Sequence, residues 1–258
     1  MVTAARLQAY FCEASRAGKD VVSLPPFTIY LNPTDPASDA NLALPDESPG
    51  GDLRALLAQL HAVFRAHGSI PRITFLDAFA PALVSAVQQA DFVEEYRSPV
   101  LVCTPATLRP PEPISGLCFV TLSRESSLDE IREGLDANEL GFDPTTSKRA
   151  TEAEAEEFRR GLDTSRAFIA RLHGETAGGG MYNPPYGGLT ELVGIATLAR
   201  FRRQGIGGAL TAHMAELAFA AGVEAVVVRA ADEHAGRVYR RVGFAPSGTM
   251  LGYRAPDP

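Results

Sequence analysis

Residues 189–208 read LTELVGIATLARFRRQGIGG: an apolar run, then a turn carrying arginines and three glycines, then an apolar helical pattern from Ile206. A strand that feeds a glycine-rich turn opening a helix is a strong local constraint. It fixes a βα unit and aims successive backbone N–H groups at one point, where the helix dipole adds roughly half a positive charge. Gly205 and Gly207 let an anion approach the backbone with no Cβ in the way, and Arg202 and Arg203 add full charges. The helix reads on through Ile206, Leu210, Met214 and Leu217 to about Ala221, with Gly222 placed to end it. Spacing separates the possible anions. A P-loop needs Lys-Ser or Lys-Thr after its last glycine, whereas Gly207 is followed by Gly208 and Ala209. A dinucleotide site wants GxGxxG early in a βαβ unit, and here GxGG stands about 50 residues from the end.

The rest of the chain narrows the function classes. A net charge of −7 argues against nucleic acid and anionic membrane as partners, since both demand a dense basic patch. No apolar run is long enough to span a bilayer, and MVTAARLQAYFCEASRAGKD lacks the pattern of a secretory signal, so a soluble cytoplasmic protein is expected. Cys12, Cys103 and Cys118 are odd in number and lack ligand spacing, which favours reduced, buried thiols. The five histidines are scattered with no HxxxH pair, so no metal site is expected.

The sharpest break is TPATLRPPEPIS (104–115), with four prolines in twelve residues. It divides the chain into an N-terminal domain over 1–105, a proline-rich linker over 106–115 and a C-terminal domain over 116–258. In the last of these GLCFVTLSR reads as a strand. A helix capped by Ser126 or Ser127 follows, then a second over 151–163 with a capping box from Thr151 and Glu154. Strands SRAFIARLHG, ETAGGGMYN and LTELVGIATL come next, with glycines 178–180 marking a bulge or a close backbone approach. The helix from Ile206, the strand EAVVVRA, the short helix EHAGRVYRRV and a strand from GFAP complete a mixed α/β sheet. The loop NPPYGG, with Tyr182 and Tyr186 beside it, is either a simple hairpin connection or part of an acceptor pocket.

The spacing RxxGxG at Arg202, Gly205 and Gly207, followed by AxxxYxxxGF at Ala235, Tyr239, Gly243 and Phe244, resembles the GNAT superfamily of N-acyltransferases over residues 116–258. The resemblance implies the GNAT acyl-CoA N-acyltransferase fold and transfer of an acetyl group from acetyl-CoA to a primary amine by direct attack in a ternary complex. By the same resemblance the amides of Gln204, Gly205, Ile206, Gly207 and Gly208 hold the coenzyme pyrophosphate, with Arg202 and Arg203 beside them. Ile195, Ala196 and Thr197 would face the pantetheine arm on a splayed strand. The chemistry asks for a base, because an amine near pKa 10 is protonated at neutral pH, and for an acid to help the thiolate leave. Glu191 is the implied base or base relay and Tyr239 the implied acid. Asp232 stands where the family often has Asn, which keeps acceptor capacity but loses two donors. The alternatives are a larger acyl-CoA as donor, or a non-catalytic module that binds CoA. The acceptor is a small-molecule or peptide amine, and the chain a monomer or homodimer.

The N-terminal part echoes the same ending. Helix 52–68, strand PRITFLD, helix PALVSAVQQA and strand DFVEEYRSPVLVCT repeat the order, and aligning AHG (66–68) with AAG (220–222) sets Asp91 and Phe92 near Gly243 and Phe244. The copy lacks arginines at its turn, carries acidic Asp46 and Glu47 there, and has Val87 or Gln88 where Tyr239 stands. It reads as a degenerate GNAT-like half, of the tandem type.

Overall fold

The computed structural model describes residues 2–146, 148–162 and 166–256. The first 50 residues, which carry no strong periodic signal, form α1 (Ala4–Ala14) and the strands β1 (Asp20–Leu24), β2 (Phe27–Leu31) and β3 (Leu42–Pro45). The expected elements then follow in order: α2 (Leu53–His67), β4 (Arg72–Leu76), α3 (Pro81–Gln89) and β5 (Val93–Cys103). After the prolines come β6 (Leu117–Leu122), α4 (Leu128–Phe142), α5 (Glu152–Gly161), β7 (Arg166–Leu172), β8 (Glu175–Tyr182) and β9 (Leu189–Thr197). The chain closes with α6 (Ile206–Ala220), β10 (Ala225–Arg229), α7 (Glu233–Arg241) and β11 (Ala245–Arg254). Ser127 with Glu130 and Thr151 with Glu154 form the two capping boxes that start α4 and α5. The last residue of the helix expected over 151–163 and the first of the strand SRAFIARLHG lie outside the described residues.

The chain divides into two units, residues 1–100 with 246–258, and residues 101–245. Both boundaries differ from the division at 1–105, 106–115 and 116–258. The proline segment is not a free connector: Arg109 N–H donates to Val242 O at 2.9 Å, and a Cβ on Gly243 would lie 1.9 Å from Thr107 O. The final strand belongs to the first unit, where β11 pairs antiparallel with β4 from Met250↔Leu76 to Arg254↔Arg72.

In the first unit β1, β2 and β3 run antiparallel, β3 meets β4 in parallel, and β11 follows β4. Leu57, Leu60 and Phe64 of α2 and Leu83 and Val87 of α3 share a buried core with Phe75, Leu251 and Tyr253. In the second unit β6, β7, β8 and β9 are antiparallel and β10 pairs parallel to β9. Helix α6 covers one side, burying Ile206, Leu210 and Met214 among Phe168, Val226 and Val228. Each such side chain contributes about 1.5–3 kcal/mol by leaving water. A separate cluster of Ile131, Ala155, Leu162 and Ile169 seats α4 and α5. Of the thiols, Cys12 and Cys103 are buried as expected, whereas Cys118 is exposed on β6. Among the described residues no helix is long and apolar enough to cross a membrane.

Candidate functional site

The site lies in the second unit, where β9 outruns its parallel partner. The register Ala225↔Leu189, Val226↔Thr190, Val227↔Glu191 ends there, so β9 continues to Thr197 with no register partner on the β10 side. A bulge causes the departure. Register between β8 and β9 shifts between Gly179 and Met181, and Gly194 adopts φ +63°, a left-handed conformation suited to glycine. The glycines of β8 permit the contact, since a Cβ on Gly178 would fall 2.2 Å from Ala196 O. Ile195 and Thr197 are half-buried and Ala196 is buried.

Beyond a short 3-10 turn at Ala199–Phe201 the chain enters the glycine turn. Arg203 has φ +64° and Gly205, the residue capping α6, has φ +82°; no side chain caps the helix. The first amide to find a carbonyl is that of Ala209, on Gly205 O at 3.0 Å. Among the described residues the N–H groups of 203–208 make no hydrogen bond. A helix start with its amides unspent is an anion cradle. It is also closely walled. A Cβ on Gly207 would lie 3.5 Å from Thr197 Oγ1, and one on Gly208 would lie 3.6 Å from Val242 Cγ2, so β9 and the end of α7 both abut the first turn of α6.

The side chains around the cradle divide by what they touch. Arg202 donates from Nε to Thr197 O at 3.1 Å and from a terminal nitrogen to Gly141 O at 2.8 Å. It therefore ties the end of β9 to the last turn of α4, where a cation also meets the helix dipole. Arg203 is exposed, and the Gln204 amide reaches Arg200 O at 3.5 Å. Asp232 caps α7 by accepting from Ala235 N–H at 2.7 Å, so it holds the local turn. Tyr239 is 9% exposed, and its hydroxyl makes no hydrogen bond among the described residues. Burial, with Asp232 adding to it, pushes the phenol up to about 12.

Glu191 is 3% exposed, and its Oε1 accepts from Arg229 Nε at 2.6 Å. Arg229, at the end of β10, is 39% exposed, so the pair stands at the point where the two strands part. Tyr182 is buried against Phe168, with ring centroids 5.8 Å apart, and belongs to the core. Tyr186 is exposed in a tight connection where its N–H meets Leu189 O at 2.9 Å.

Two residues outside the sequence motifs shape the site. Arg229 is one. Asn138 of α4 is the other, donating from Nδ2 to Gly194 O at 2.5 Å. Asn is a weak helix former, and its place inside α4 was the one local signal. Beside it a cleft of about 440 Å³ opens between α4 and α5, lined by Asp136, Asn138, Glu139, Glu157 and Phe158 among others.

Known proteins give this geometry a context. Residues 129–244 match the family model described as acetyltransferase (GNAT) family. No curated protein matches the chain. Among solved structures, a GCN5-related N-acetyltransferase from Kribbella flavida superposes with a TM-score of 0.82 at 20% identity, over 100% of this chain and 97% of that one. A tandem GNAT protein from the clavulanic acid biosynthesis pathway gives 0.64 at 18% identity, over 90% of this chain and 79% of its own. A GCN5-related N-acetyltransferase from Sphaerobacter thermophilus gives 0.62 at 15% identity, over 92% and 84%.

Proposed function

We propose, for a chain whose residues 129–244 belong to the acetyltransferase (GNAT) family, that it transfers an acetyl group from acetyl-CoA to a primary amine. One observation carries the reading: the unspent amides of 203–208 at the start of α6, set against the length of β9 that has no register partner on its β10 side. These suit a pyrophosphate followed by an amide-bearing arm, because the first needs converging N–H donors and the second needs a strand edge. Gln204, Gly205, Ile206, Gly207 and Gly208 hold the phosphates through backbone. Ile195, Ala196 and Thr197 present the edge. Arg203 is the exposed cation beside them, while Arg202 and Asp232 act indirectly, by fixing the turn and the start of α7.

The coenzyme supplies an activated acyl thioester. In the transfer, the ammonium first loses a proton to water, and the freed lone pair forms the C–N bond as the carbonyl electron pair moves to oxygen. That pair then returns, the C–S bond breaks, and sulfur leaves with its electrons while the nitrogen gives up a proton. Glu191 receives this proton through water, since it is buried and shared with Arg229. Tyr239 faces the sulfur. With its phenol near 12 against about 8.5 for a thiol, full proton transfer would run uphill by about 5 kcal/mol. Its role is thus to donate a hydrogen bond to the departing sulfur. The acidic lining of the cleft beside α4 favours cationic acceptors. The first unit, residues 1–100 with 246–258, serves as a degenerate copy that binds no coenzyme.

The test is thiol release from acetyl-CoA with a panel of primary amines. Turnover in the native protein, and a kcat loss of about 10²-fold in Tyr239→Phe with acetyl-CoA affinity kept, is the expected outcome. Coenzyme binding with no turnover on any amine would assign a binding module instead.

A further inference from the structure

We infer that Asn138 is a positioning residue for the reaction: by holding the Gly194 carbonyl to α4, it directs the Ile195 N–H at the thioester oxygen. This rests on the acetyl-CoA reading above and assigns a part to a residue outside both sequence motifs. Asn138 Nδ2 donates to Gly194 O at 2.5 Å, a direct side-chain hold on a backbone carbonyl. A trans peptide is planar and sends its C=O and the following N–H in opposite directions. Fixing Gly194 O toward α4 therefore turns the Ile195 N–H away from α4.

The surroundings make this peptide steerable and give it something to steer. Gly194 and Ile195 are the residues for which β8 offers no register partner, and pairing with β10 has already ended at Glu191. The peptide sits in a bulge, outside the regular ladder, where a side chain can fix its direction. The left-handed φ of +63° at Gly194 sets the turn of the bulge, and a Cβ there would come within 3.1 Å of Asn138 Nδ2, closing the space the amide uses. Helix α4 reaches the strand because Gly141, one turn on, has no side chain: a Cβ there would lie 2.5 Å from that of Ala196. Arg202 fastens the same last turn of α4 through Gly141 O. Asn138 is thus held at fixed distance from the bulge, as a donor that must aim a neighbouring amide requires.

The consequence is a polarised carbonyl. Charge grows on the thioester oxygen as the amine attacks, and a preorganised N–H stabilises it more in the transition state than in the ground state. Asn138→Ala removes the hold, and Asn138→Asp keeps the shape but sets a carboxylate against Gly194 O. The experiment is isotope-edited infrared spectroscopy of acetyl-CoA labelled with ¹³C at the carbonyl, with affinity from calorimetry and melting temperature on the same samples. The native protein is expected to lower the carbonyl stretch of the bound thioester. Both variants should lose that shift while binding acetyl-CoA within about threefold of native, and on any accepted amine kcat should fall about tenfold or more with KM for acetyl-CoA unchanged. A native band unshifted on binding, or a shift that survives in both variants, overturns the inference and leaves the coenzyme reading intact. Failure of the native protein to bind acetyl-CoA overturns that reading, and this inference with it.

Discussion

Two helix starts occupy corresponding points in two similar runs of chain, and only one is left open. Helices α2 and α6 both span 15 residues, β4 and β10 both span 5, and α3 and α7 both span 9. The joints agree as well. Gly68 and Gly222 follow the long helices at φ +77° and +89°, and Asp91 and Gly243 follow the short ones at +59° and +100°. Phe92 N–H reaches Val87 O at 3.0 Å as Phe244 N–H reaches Tyr239 O at 3.1 Å, which makes Val87 the counterpart of Tyr239. At the starts the likeness ends. Asp52 accepts from Ala55 N–H at 3.1 Å, spending an amide of α2 on its own cap, while α6 opens on Gly205 with no side-chain cap. A frame of backbone joints can persist while one carboxylate closes the surface on which an anion would sit.

The widest test of this comparison is to remove residues 246–258. The first unit would lose β11 from beside β4 and the buried Leu251 and Tyr253 from its core, at about 1.5–3 kcal/mol for each side chain before any pairing is counted. Limited proteolysis should then cut within residues 1–100; resistance equal to that of the full chain would show that β11 is dispensable there. Next in size is Gly205→Val. A β-branched residue at φ +82° is strained, and its Cβ would come 3.4 Å from Ile114 Cδ1, so the turn that presents the amides must shift and calorimetry should report acetyl-CoA affinity weaker by about tenfold or more. Unchanged affinity would remove the distinction drawn between the two helix starts. Smallest is Asp52→Ala, which frees the amide of Ala55 and should cost about 1 kcal/mol. A melting temperature lower by about 2–4 °C is expected, with acetyl-CoA affinity unaltered.

Much of this was legible in the sequence, for a physical reason. The order of elements from α2 onward, both capping boxes and the glycine turn depend on contacts within a few residues, which periodicity and spacing encode. The strand that feeds the turn was read from the same run, and the three glycines of β8 proved to mark both a bulge and a close approach. What stayed hidden depends on partners far along the chain. Arg202 reads as a phosphate ligand until Gly141, 61 residues away, is seen to take its guanidinium. Glu191 reads as a lone carboxylate until Arg229 is placed beside it. Asn138 carries no motif, because its meaning lies in a carbonyl 56 residues distant. The fate of β11 was equally hidden, since a strand's own pattern does not name its neighbour.

That last strand also sets an order in time. A ribosome releases the chain from its first residue at roughly 5–20 residues per second, and domains commonly fold as they emerge. Here the partner of β4 lies roughly 170 residues further along the chain, so β4 spends on the order of ten seconds of synthesis without it. The unit that begins to emerge first is therefore completed only after all of residues 101–245 has been made.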